Sequence, residues 1–277
     1  MMLDSKSLNL DKAQVMAIVN LTPDSFYATS RHFTSSDVSR SVERAITEGA
    51  TIVDLGGYSS RSGAEDVSLE EEWRRVRMGL EAVRSTGGDV LVSIDTFRSE
   101  VVRRAYEEFG NFIVNDISAG ELDRDMLSVV AHHSLVYVAM HMRGVPQTMS
   151  SLNHYDDGVV DGVKSYFATR VKELEAAGIA RDRIILDPGF GFAKSPTQNY
   201  ELLTHLDSLT ELGYPLLVGL SRKSMIYKPL GLEAEDALPG SLAFAWEALR
   251  AGAKIIRVHD VAPTRQIVDL YNHYNRA

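Results

Sequence analysis

Cysteine is missing from this sequence altogether. Its absence removes disulfides, thiolate zinc sites and cysteine nucleophiles together. Also missing is any run approaching the ~20 apolar residues of a membrane span. The opening MMLDSKSLNLDKAQ is polar and holds no apolar stretch of signal-peptide length. Basic side chains are in deficit, 29 against 38 acidic ones, for a net charge of −9. That balance argues against a general grip on nucleic acid, which needs a basic surface. It leaves room for an anionic small molecule, because a few local arginines and lysines suffice for one phosphate group. The expectation is a soluble cytoplasmic protein without nucleic-acid or membrane partners.

What is present is a repeat of short, β-branched apolar runs, each ending in polar residues and each followed by a helix-like segment. The runs are VMAIV (15–19), TIVDLGG (51–57), VLVSIDT (90–96), NFIVNDI (111–117), LVYVAMHM (135–142), RIILDPGFGF (183–192), PLLVGLSR (215–222) and KIIRVHD (254–260). Continuous rather than alternating apolar character points to strands buried on both faces of a parallel sheet. Between them, Ser36 or Asp37 is placed to cap a helix stopping at Gly49, and Ser68 with Glu71 makes a capping-box pattern. Segments 156–177, 197–212, 234–251 and 262–274 read as further helices, with Gly178, Gly213 and Gly252 as stops. Eight strand–helix units in 277 residues predict a (β/α)8 TIM barrel, residues 1–277 as one domain with no low-complexity linker. An open doubly wound sheet is the competing architecture. Its dinucleotide fingerprint is absent, because the glycines of DPGFGF lack the GxGxxG spacing.

In a barrel the chemistry sits at the C-terminal strand ends, and here every such end is polar. They deliver in turn Asn20, Asp54, Asp95, Asn115 with Asp116, His141, Asp187, then Ser221, Lys223 and Ser224, and finally Arg257, His259 and Asp260. Two sub-sites follow from residue type. Arg61, Arg257 and His259 supply donors for phosphate oxygens, and Asn20 offers an amide oxygen to a hard cation such as Mg2+. Asp95, Asn115 and Asp187 can accept paired N–H donors from a planar heterocycle, with Lys223 donating to a ring carbonyl and Phe190 or Phe192 beside the ring. Plainer readings stand beside these. Asp54 is equally suited to pairing with a neighbour, Asp116 and Asp260 to capping helices or binding loop amides, and the histidines 132, 133 and 141 to structural roles. Trp73 and Trp246 fit core positions. Three carboxylate or amide groups ending buried strands, by contrast, are expensive without a ligand or partner.

With these residues in view, the chain resembles the dihydropteroate synthase family from Ala17 to about Asp260. The resemblance rests on IVNLTPDSF, DLGGYSSRSGAE, VSIDTFRSEV, IVNDIS, MHMRGVPQTM, ILDPGFGFAKS, VGLSRKS and IRVHD, in that order. It implies a transferase joining (7,8-dihydropterin-6-yl)methyl diphosphate to 4-aminobenzoate, with release of diphosphate, by a dissociative route and with Mg2+ as cofactor. Carried over by motif, Asn20 matches the Mg2+ ligand. Asp95, Asn115, Asp187 and Lys223 match the pterin pocket, with Phe192 near the ring. Ser60 and Arg61 match a substrate-contacting pair, Arg257 and His259 the diphosphate site, and Ser224 a serine near the aminobenzoate carboxylate at an expected helix N-terminus; Ser221 is counted with the substrate-binding residues. Asp95, Arg61, Arg257 and His259 are the residues it assigns to catalysis, and a homodimer is implied. The family pattern is broken at Ala28, Tyr58, Ser60, Ser62 and Ala193, where Asp, Glu, Thr, Pro and Gly are common.

Overall fold

The protein is described here from a computed structural model covering residues 8–22, 34–58, 66–87, 89–144 and 148–275. Eight strands, β1 (Gln14–Asn20), β2 (Ile52–Gly56), β3 (Leu91–Asp95), β4 (Ile113–Asp116), β5 (Val136–Met140), β6 (Ile184–Asp187), β7 (Leu216–Val218) and β8 (Ala253–Val258), pair in parallel in sequence order. β8 returns to β1, so the sheet closes into a barrel. The predicted barrel is therefore the observed one, and the open sheet is excluded.

Strand parity divides the apolar runs between two cores. Met16, Ile52, Ile113, Val138, Ile185, Leu217 and Ile255 point inward and plug the lower barrel. Their neighbours, among them Val15, Val53, Ile94, Val114, Leu186 and Ile256, point outward beneath the helices. Moving up a strand by two residues stays on the inner face. Above Ile52 on that face comes Asp54; above Ile113 comes Asn115; above Ile185, Asp187; above Ile255, Arg257. The polar site is thus the inner face of the barrel continued above its apolar plug.

Helices follow the strands as α1 (Ser35–Thr47), α2 (Leu69–Thr86), α3 (Ser99–Phe109), α4 (Met126–His132), α5 (Val159–Ala176), α6 (Pro196–Thr204), α7 (Ser224–Tyr227), α8 (Leu238–Arg250) and α9 (Val261–Tyr274). Several boundaries differ from the sequence reading. Thr34, not Ser36 or Asp37, caps α1, and Asp37 serves as the reciprocal third residue of that box. Ser68 accepts from the Glu71 backbone, but the Glu71 carboxylate turns to Arg74 and Arg75, so only half of that capping box forms. The helix expected over 197–212 breaks after Thr204 into a tighter turn over 206–212, and the one expected from 234 begins at Leu238. Among the described residues no helix is long and apolar enough to cross a membrane.

Candidate active site

The mouth is organised around one buried ion-pair network. Asp54, fully buried on β2, accepts on Oδ2 from Arg257 Nε at 2.7 Å and from Asn115 Nδ2 at 3.0 Å. The second branch of the Arg257 fork donates to Asp95 Oδ2 at 2.7 Å. Burial works against the Arg257 cation, but Asp54 and Asp95 outweigh it and hold its pKa above the ordinary arginine value. Asp95 is pushed up to about 7 by burial, with Arg257 opposing and the nearby Asp54 charge adding to the rise. Of the two readings of Asp54, pairing with its neighbours is the one realised.

Across the barrel, Asp187 is buried and its Oδ1 accepts from Gly189 N at 2.8 Å. Burial raises its pKa, against that hydrogen bond and the charge of Lys223. Lys223 donates to Phe190 O at 2.7 Å and stands 4.6 Å over the half-buried Phe192 ring. Burial draws it down to about 8, with Asp187 resisting. An apolar ledge of Ile117, Met140 and Met142, flanked by Phe97 and Phe192, completes this side. Asp187, Asn115 and Lys223 beside such a ledge offer a flat, partly apolar molecule two acceptors and a donor.

The third sector lies at the ends of β7 and β8. Ser221 Oγ lies 3.1 Å from His259 Nδ1 and accepts from the His259 backbone N–H at 3.2 Å, leaving the ring on the exposed rim. Asp260 does not cap α9: its carboxylate takes both arms of Arg222, at 2.8 and 2.7 Å, and so ties the β7 and β8 loops together. Ser224 is exposed at the start of α7, a single turn of four residues. Asp116 behaves as the plainer reading expects, on the outer face, binding the Ser118 and Gly120 amides and the Tyr137 hydroxyl.

The candidate cation ligand is also placed. A side chain at Gly56 would stand 3.7 Å from Asn20 Oδ1 and 3.9 Å from Asp95 Oδ2. Glycine therefore leaves a small cradle between these two side-chain oxygens, of which Asp95 Oδ2 already accepts from Arg257. Among the described residues there is no cluster of three His, Cys, Asp or Glu able to hold a metal by itself. A single amide oxygen at a cradle suits Mg2+, which keeps waters and substrate oxygens in its shell.

Comparison with known proteins bears on this arrangement directly. The model of the pterin binding enzyme family matches residues 16–259. Dihydropteroate synthase of Haemophilus influenzae is 40% identical over 268 residues, 97% of this chain and 96% of the relative. The chain belongs to the dihydropteroate synthase family. By that membership it is an enzyme of the transferase class. Among solved structures of the family, Xanthomonas albilineans dihydropteroate synthase with 4-aminobenzoic acid superposes with a TM-score of 0.89 at 40% identity, covering 98% of this chain and 96% of that one. The same organism's enzyme in complex with 7,8-dihydropteroate gives 0.86 at 38% identity, with 98% and 96% coverage.

Within the dihydropteroate synthase frame, the structure brings Asp95, Asn115, Asp187, Phe192, Ser221, Lys223, Arg257 and His259 to one mouth, with Asn20 at its edge. Ser60, Arg61 and Ser62, like Ala28, lie outside the described residues. Sequence reasoning missed the Met140 and Ile117 ledge and the bridging position of Asp54. Parity counted from Ile52 would have placed Asp54 inward. It also missed Lys194, for which the sequence offers no signal, since a lysine after a glycine-rich turn reads as solvated.

Proposed function

We propose that this chain condenses (7,8-dihydropterin-6-yl)methyl diphosphate with 4-aminobenzoate, giving 7,8-dihydropteroate and diphosphate. The observation that carries this reading is the meeting of a heterocycle-reading set, Asn115, Asp187 and Lys223, with the Arg257 cation through the shared carboxylate of Asp54. The Xanthomonas complexes with 4-aminobenzoic acid and with 7,8-dihydropteroate support the same substrate pair.

The reaction runs dissociatively. The methylene C–O bond breaks first, and its electron pair leaves with the diphosphate, received by Arg257, His259 and Arg61. The charge left on the pterin methylene is faced by the Asp95 carboxyl group. The arylamine nitrogen then forms the new C–N bond and releases a proton. Preorganised charges of this kind supply the main catalytic contribution in such sites. Asn20 would hold a Mg2+ ion, which would supply positive charge to the leaving group. Ser221 and Ser224 contact substrate from the loop after β7, and Ser60 shares the substrate role its sequence motif implies.

The chain acts in the cytoplasm as a homodimer. α8 and α9 support the second copy: Trp246 packs edge-on against Tyr271 and Tyr274, and Leu270 and Tyr274 stand exposed beside them. The reaction is tested by pyrophosphate release with both substrates and Mg2+. Release must depend on 4-aminobenzoate and match dihydropteroate formed. No release from folded protein overturns the reading, and a methyl-transferring or purely pterin-binding barrel would give that result.

A further inference from the structure

Behind the turn that follows β6 lies a buried lysine that the reaction above does not use. Lys194 is 8% exposed, and its Nζ meets three acceptors: Gly189 O at 2.9 Å, Phe192 O at 3.0 Å and His141 Nδ1 at 2.9 Å. An ammonium carries three hydrogens, so all of them are committed and none remains for a substrate. His141 is itself buried, packed edge-on against Tyr166, and its backbone N–H donates to Asp187 O at 2.9 Å. Lys194 and His141 thus tie the ends of β5 and β6 to the turn that follows β6.

That turn needs holding. Gly189, Gly191 and Ala193 take φ of +67°, +80° and +50°, so left-handed residues alternate along it, one of them carrying a side chain. Tyr155 Oη donates to Ala193 O at 3.0 Å as a further tie. The other side of the same turn carries groups of the pterin pocket. Gly189 N donates to Asp187, Phe190 O accepts from Lys223, and Phe192 lies under the Lys223 ammonium.

We propose that Lys194, braced by His141, is a positioning residue for the pterin pocket: it holds the 189–193 turn from behind so that Asp187, Phe192 and Lys223 keep their alignment. The inference rests on the pterin-pocket reading given above. Removing the three ties frees two carbonyls and lets the turn relax from its left-handed residues, and the pterin loses a preformed partner set. The arylamine, held elsewhere in the mouth, is affected little.

The test is Lys194→Met, of similar length without donors, with Lys194→Gln as a second variant that keeps an amide donor. Measurements are made at about pH 6, below the value of about 7 to which burial draws the Lys194 ammonium. Calorimetry with a diphosphate-free pterin should show affinity weakened about tenfold or more in Lys194→Met and by less in Lys194→Gln. The KM for 4-aminobenzoate at saturating pterin diphosphate should change less than about twofold. Unchanged pterin affinity in the folded variants overturns the proposal, as does an equal loss for both substrates, or failure of both variants to fold, which would make Lys194 a general scaffold residue. Absence of pterin binding by the unaltered protein would instead sink the pocket reading itself.

Discussion

Arg257 and Asp54 meet at 2.7 Å although 203 residues separate them. They reach each other because β8 and β2 flank β1 in the closed barrel. The same Asp54 oxygen holds Asn115, so a single buried carboxylate links the Arg257 cation to the Asn115 amide.

The first prediction follows from that link. Arg257→Ala leaves Asp54 and Asp95 facing each other without their cation, and stripping one partner from a buried pair typically costs about 3–5 kcal/mol. Urea unfolding should register that loss, and pterin affinity should fall with turnover because Asn115 loses its anchored neighbour. Arg257→Lys should recover part of the stability but not the two-armed geometry. A variant of unchanged stability and pterin affinity would show that the network is dispensable.

One Asp187 oxygen accepts from Gly189 N, and in the proposed pocket the other is the acceptor for the pterin. Asp187→Asn keeps the shape but turns a donor toward the amino-pyrimidinone edge. The mismatch should cost roughly 1–3 kcal/mol, about tenfold in affinity near the middle of that range. Calorimetry on the folded variant checks it, and undiminished binding removes Asp187 from the pocket.

Lys223 should make stability and pterin affinity move in opposite directions with pH. Burial brings its pKa from 10.5 to about 8, so above that value the folded protein holds it neutral while the unfolded chain still protonates it. The unfolded state then binds more protons, and this group makes stability rise as pH climbs between those two values. Pterin affinity should fall over the same interval, about fivefold, as a charged donor becomes a neutral one. Titrating the dissociation constant and the thermal midpoint together tests both signs. An affinity independent of pH across this interval contradicts the assignment.

Two substitutions in the 189–193 turn should behave oppositely. Ala193→Gly removes a left-handed side chain, worth roughly 1 kcal/mol, and adds unfolded-state freedom of about the same size, so stability should change by less than ~1 kcal/mol. Gly189→Ala would put a methyl 2.1 Å from His141 O, which only backbone displacement relieves. Denaturation curves and pterin titration should show the first variant near-normal and the second strongly impaired. Equal behaviour would mean the turn adapts freely.

Much of the architecture was legible because parallel barrels bury both faces of each strand, leaving eight continuous apolar runs with polar ends. Helix boundaries were less legible. Leu206–Leu212 continues an apolar pattern that the chain winds into a tighter turn ending at Gly213 (φ +75°), and Thr34 outcompeted Ser36 because Asp37 could return its hydrogen bond. Asp260 read as a cap, but the Arg222 fork across the loop gave it a stronger partner than helix amides.

By itself the sequence determined which residue types stand at the strand ends, since each follows a run whose length and composition locate it along a strand. Only the tertiary structure decided which of them touch. Closure of β8 onto β1, and the parity that turns Asp54 inward but Asp116 outward, set those contacts. A linear pattern carries neither the register between distant strands nor the face each shows to the barrel axis. The pairing of Arg257 with Asp54, and the burial of Lys194 against His141, therefore exist only once the sheet has closed.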